Sequence, residues 1–181
     1  MKTFLLLFLF PLFAFSAPYQ EDSFYNLETE WTNQDGKTVQ LKEFEGHPVV
    51  LSMVYMTCPF LCPTITSDIQ VIEKNIPEKL RKETRFILVS FDPERDTPQT
   101  MKAFMEKRKL DPARWTLMSS KKESKLRELA GLLNFKYQKL QDGEFSHSYL
   151  IQALDRKGSP RARVEAVNQG TAAITRFFSE L

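Results

Sequence analysis

The chain has 181 residues, the size of one domain with a short appendage. An apolar fraction of 42%, fifteen Phe and 27% charged residues describe a substantial core under a solvated surface. The net charge of +2 comes from bases scattered among acids, and the tightest basic groups, Lys121-Lys122 and Arg161 with Arg163, are too small for a nucleic-acid track.

At the N-terminus Lys2 precedes an apolar run over residues 4–15, broken by Pro11. Ala14-Phe15-Ser16 then fits a small-x-small cleavage site. The pattern predicts a signal peptide over 1–17 and one domain over 18–181. The run is short for a membrane span. No cysteine follows it, which closes the bacterial lipoprotein route. The expected location is the bacterial periplasm; the alternative is an uncleaved anchor in the inner membrane, facing the periplasm.

Residues 19–30 read as an irregular lead-in. Short alternating runs around Gln34-Asp35-Gly36-Lys37 predict a hairpin over 31–41. The continuous apolar run 49–55 predicts a buried central strand. The cysteines follow, and Ile65, Ile69 and Ile72 share one face of a helix predicted over 63–75. A second buried strand is predicted over 85–91. Thr97 as cap and Pro98 in the first turn open a helix to about residue 109. A third helix is predicted from 120 or 122 to 133. A second hairpin, 148–154 with 161–166, turns at 155–160, and a helix over 171–180 closes the chain. Helices alternating with buried strands make a mixed α/β sheet. A strand running straight into a cysteine pair at a helix start is the thioredoxin-like arrangement.

Cys58 and Cys62 are the only two cysteines, four positions apart and each followed by a proline. As a staple they would close a loop of about five residues, worth roughly 2 kcal/mol by chain entropy. That is a weak device for a domain with a large core. On one helix, residues four apart share a face, so both sulfurs could point the same way. Cys58 stands where strand gives way to helix, and unpaired N–H groups and the helix dipole there stabilise a thiolate. Paired thiolates select Cu(I) or Zn(II). Outside the cytosol such a pair is oxidised unless it is reduced again or held on a metal.

Two sulfurs make an incomplete metal site, and the chain has only two histidines. His47 precedes the first central strand, which leads away from it to the cysteines; it reads as an exposed turn residue at the far end of the sheet. His147 stands just before the late hairpin. In a thioredoxin-like fold the loop there faces the cysteine turn, and a neutral imidazole would complete a trigonal site. Met53 reads as core packing, and Met56 stays open as a soft donor.

Four stretches, in order, resemble the Sco/SenC family of copper chaperones of cytochrome c oxidase assembly. "TCPFLCPT" is similar to its Cys-Pro-x-x-Cys-Pro motif. "VSFDPERDTP", residues 89–98, is similar to its Asp-Pro-x-x-Asp-Thr segment. "DGEFSHSYLIQALDRKG", residues 142–158, resembles its distal histidine and following hairpin. "QDGKTVQLKEFEGHPVVL", residues 34–51, resembles its opening hairpin and first central strand. The resemblance implies a thioredoxin-like mixed sheet flanked by helices with an added N-terminal β-hairpin. It implies copper, Cu(I) or Cu(II), on Cys58, Cys62 and His147, and an exported protein. Phe60 and Leu61 stand between the thiols, where many members carry an acidic residue. Asp92 and Asp96 serve either turn and capping chemistry or, from beyond the ligands, tune the thiols or the ion.

The leading expectation is a copper carrier that serves a copper-dependent respiratory enzyme, cytochrome c oxidase or a similar one, with a thiol-reducing partner to keep the pair reduced. The alternative is a thiol–disulfide reductase in which Cys58 attacks a client disulfide and Cys62 resolves the mixed disulfide. A peroxidase of peroxiredoxin type wants Pro seven residues and Thr three residues before its thiol. Cys62 has Tyr55 and Pro59 there, and Cys58 has Leu51 and Tyr55, so that reading falls away.

Overall fold

A computed structural model describes residues 19–58 and 61–181, with the side chains of 61, 62 and 168 left aside. The expected leader over 1–17 lies outside the described residues.

The first hairpin, β1 (Glu30–Asn33) and β2 (Thr38–Gln40), turns where the Asp35-Gly36 pair predicts, with Gly36 at φ 74°. The Asn33 carboxamide accepts from the Asp35 and Lys37 N–H groups across the turn, an Asx-type closure. The central strand β3 (Val49–Val54) is buried at all six positions, as a strand covered on both faces must be. After the cysteine segment come α1 (Leu61–Asn75) and the short α2 (Glu78–Glu83). Strand β4 (Arg85–Ser90) pairs parallel to β3 along its whole length. Helix α3 (Pro98–Arg108) is capped by the Thr97 hydroxyl, which accepts from the Thr100 N–H.

β5 (Trp115–Ser119) pairs parallel to β4 and antiparallel to β1, and lies outside every element that the sequence pattern predicts. Its five residues are too few to show a period, and burial on the sheet rather than patterning makes them a strand. Phe86 and Trp115 stack there, with ring centroids 5.0 Å apart. Next come α4 (Glu123–Leu133), a small separate hairpin of β6 (Tyr137–Lys139) and β7 (Phe145–His147), then β8 (Ile151–Leu154), β9 (Pro160–Val164) and α5 (Ala172–Ser179). The main sheet runs β2-β1-β5-β4-β3-β8-β9. Helix α1 packs on β3, α3 on β5, and α5 on β9 and α1. Among the described residues no helix is long and apolar enough to cross a membrane.

Two connections position the site. β3 ends at Val54, four residues before Cys58. β8 runs antiparallel to β3, with Leu51 opposite Gln152, and the Ser52 hydroxyl donates to the Leu150 carbonyl at 2.6 Å. The chain therefore enters β8 from the end of the sheet at which β3 leaves. In open α/β sheets ligands gather at that carboxyl end.

Candidate metal and thiol site

Cys58 sits in a turn closed by its own N–H, which donates to the Tyr55 carbonyl at 3.3 Å. It is 7% exposed. Helix α1 begins only at Leu61, so Cys58 stands outside it while Cys62 lies within it. Cys58 and Cys62 therefore do not both lie on this helix, so helical spacing by itself does not turn the two sulfurs the same way. Among the described residues no three His, Cys, Asp or Glu side chains gather as a metal site.

The structure does bring one late residue to Cys58. His147 Nε2 lies 3.9 Å from Cys58 Sγ. His147 is the last residue of β7, not a loop residue as expected, and it pairs with Tyr137. Its Nδ1 lies 2.8 Å from the Ser148 carbonyl, which can only accept. The proton is therefore assigned to Nδ1, and the Nε2 lone pair faces the sulfur. Metal-bound histidines are commonly oriented through the far nitrogen in this way. Thiolate and imidazole donors bind a first-row ion such as zinc at about 2.3 and about 2.0 Å, and these lengths together exceed 3.9 Å. One ion can touch both atoms without moving the backbone, so the two residues fit a soft metal.

Aromatic rings hold the imidazole. Phe135 stacks on it at 5.9 Å between centroids, Phe91 lies at 5.4 Å, and Tyr55 meets it edge-on at 5.9 Å. Phe91 also touches Tyr137 and Phe145, so an aromatic wall backs one side of the imidazole. Burial raises the Tyr55 phenol well above its ordinary range; its bond to Glu144 and its contact with Cys58 add to the rise. Tyr55 is thus a donor at neutral pH, and it gives its hydrogen to Glu144 Oε2 at 2.8 Å.

On the other side, Cys58 borders a cleft of about 380 Å³ formed with Met56, Pro63, Phe104 and Arg108. Met56 is half-buried there, and its N–H is donated to Asp96 Oδ2 at 2.9 Å. Asp96 also accepts from the Ser90 hydroxyl. Asp92 pairs with Arg95. The cap of the helix that follows is the Thr97 hydroxyl, not either carboxylate, and Asp96 anchors the backbone two residues before Cys58. Met53 is fully buried in the core. His47 is at the opposite end of the sheet, but half-buried rather than exposed: Nδ1 lies 2.8 Å from the Glu83 carbonyl and Nε2 3.3 Å from an Arg85 nitrogen.

Sequence reasoning leaves out Tyr55, Arg95, Glu144 and the aromatic wall. The Asp92–Arg95 spacing of three is a local signal for their pair. Nothing local marks Glu144, whose partners are 49 and 89 residues away.

The family model described as SCO1/SenC matches residues 18–179. A SCO1 protein homolog of Bacillus subtilis is 30% identical over 114 residues, covering 61% of this chain and 58% of that protein, so the chain spans less than two thirds of that relative's length. The structure of Bradyrhizobium japonicum ScoI with copper bound is 26% identical and superposes with a TM-score of 0.68, covering 83% of this chain and 95% of that one. BsSco is a member of the Sco family of cytochrome c oxidase assembly proteins in which a disulfide switch has been identified. It is 22% identical with a TM-score of 0.71, over 87% of this chain and 93% of its own. The seven-stranded mixed sheet with its helices is thus a thioredoxin-like fold of the kind these structures have.

Proposed function

The chain belongs to the SCO1/SenC family, and from that premise we propose that it is an exported copper carrier holding the ion on Cys58, Cys62 and His147. Copper is its cargo, passed to a copper-dependent respiratory enzyme. The observation that carries this reading is the 3.9 Å approach of His147 Nε2 to Cys58 Sγ with Nδ1 turned to the Ser148 carbonyl. Thiolate and imidazole together suit copper, and a site of few donors leaves a side open for exchange with a partner's ligands. The copper-bound Bradyrhizobium relative supports the choice of metal. The oxidase as client is supported by what BsSco and its family assemble. Export would be directed by residues 1–17, with cleavage after them or retention as an anchor.

A titration of reduced protein with Cu(I) against a chelator tests the proposal. The wild type should take up one equivalent tightly. His147→Ala should weaken binding while leaving both thiols oxidisable. Equal affinity in the two proteins removes His147 from the site.

A second reading shares the same pair. An imidazole whose lone pair faces a thiol can take its proton, which favours Cys58 as a nucleophile. Cys58 would attack a client disulfide and Cys62 would displace the reduced client, leaving Cys58 and Cys62 oxidised. A reductase assay with Cys58→Ser, run with and without copper, separates the two.

A further inference from the structure

The strand that carries His147 needs support that its own hairpin does not supply. β6 and β7 pair through three residues each and form a sheet of their own, apart from the seven-stranded one. A lone two-stranded hairpin is marginal in water. Besides the aromatic cluster, the Tyr55–Glu144 bond and an exposed Lys139–Glu94 ion pair at 3.0 Å, one side chain fastens it at several points. Arg95 Nη1 donates to Glu144 Oε1 at 3.1 Å and Nη2 donates to the Gly143 carbonyl at 3.1 Å, both on the hairpin. Its Nε donates to Asp92, in the turn after β4. The guanidinium also lies over the Tyr55 and Phe145 rings, at 5.3 and 5.7 Å. Glu144 is held from both sides, since its other oxygen accepts from Tyr55. The next residue, Asp96, holds the Met56 N–H on the cysteine arm.

We propose that Arg95 is a positioning residue that docks the His147-bearing hairpin onto the cysteine turn, so that neighbouring residues of one loop, Arg95 and Asp96, set the separation of Cys58 and His147. The planar fork of Arg suits this task because it meets a carboxylate, a carbonyl and a second carboxylate at once, which an ammonium cannot do in one plane. The inference deepens the proposed copper site and rests on it only for its copper measurement.

The experiment has two arms. In metal-free protein, amide hydrogen exchange is followed over residues 137–147 and, as reference, over β3 and β4, in wild type, Arg95→Ala, Arg95→Lys and Glu144→Ala. Loss of protection in the hairpin with β3 and β4 unchanged is expected for both alanine variants, and Arg95→Lys should not restore it. In the second arm Cu(I) affinity should fall about tenfold, the lower end for residues that orient a ligand. Glu144→Ala leaves Asp92 paired with Arg95, so it reports on the clasp even if Arg95→Ala fails to fold. Wild-type exchange over 137–147 in Glu144→Ala, or in a folded Arg95→Ala, overturns the proposal. Lost hairpin protection in a protein whose wild type ignores copper upholds the clasp and sinks the copper site instead.

Discussion

His147 Nε2 faces Cys58 Sγ at 3.9 Å across 89 residues of chain. The approach follows from β8 running antiparallel to β3, which returns the chain to the edge where the cysteine turn begins. It is then held by rings around the imidazole and by two adjacent side chains, Arg95 and Asp96, on opposite arms of the site.

Asp96 ties stability to pH. Its carboxyl is pushed up from 3.8 to about 6, chiefly by burial; the Ser90 hydroxyl and Met56 N–H oppose the rise and the Asp92 charge adds to it. The folded state therefore holds this proton more tightly than the unfolded chain. Its contribution is complete below about pH 4 and is lost as pH rises through about 6. Relative to Asp96→Asn, the wild type should lose about 2–3 kcal/mol of unfolding free energy between pH 4 and pH 7.5. Urea unfolding of both proteins across that range checks it; parallel profiles would reject the assignment.

Phe91 is 2% exposed and touches Tyr55, Phe135, Tyr137, Phe145 and the His147 ring. Phe91→Ala opens a cavity where five rings meet and should cost about 3–5 kcal/mol, read from the urea midpoint. A cost below about 1 kcal/mol would mean the cluster is loosely packed.

Tyr55→Phe keeps the ring against His147 and removes only the hydroxyl that donates to Glu144. A hydrogen bond to a charged acceptor predicts a loss of about 1.5 kcal/mol. Chemical denaturation measures it, and an unchanged midpoint would show that the bond contributes nothing net.

Gly158 joins the lead-in segment to the second hairpin. It has φ 78°, and a Cβ there would lie 2.7 Å from the Tyr25 ring and 2.9 Å from Ser23 Oγ. Its carbonyl accepts from the Phe24 N–H at 3.0 Å. Gly158→Ala should destabilise by more than about 1 kcal/mol and open residues 23–27 to proteases. Thermal unfolding with limited proteolysis tests this; an unaltered melt and cleavage pattern would contradict it.

Much was legible before folding was considered, because those features are local. The Asp35-Gly36 turn, the continuous apolar runs of β3 and β4 and the Thr97-Pro98 cap declare themselves through backbone preference and burial alone. The motif resemblance singled out Cys58, Cys62 and His147 as chemistry-bearing residues. Other features are pairings, and a pairing has no local signature. β5 becomes a strand because β4 and β1 flank it. The approach of His147 to Cys58 joins residues 89 positions apart.

The sequence by itself determined the first hairpin, the buried strands β3 and β4, the longer helices and which side chains carry reactive atoms, since propensity, periodicity and donor chemistry belong to residues and near neighbours. Only the tertiary structure decided that the histidine meets the first cysteine, which of its nitrogens faces the sulfur, and that Arg95 and Glu144 clasp the two arms. Those outcomes depend on distances between residues far apart in the chain, and such distances are set by how the strands pack.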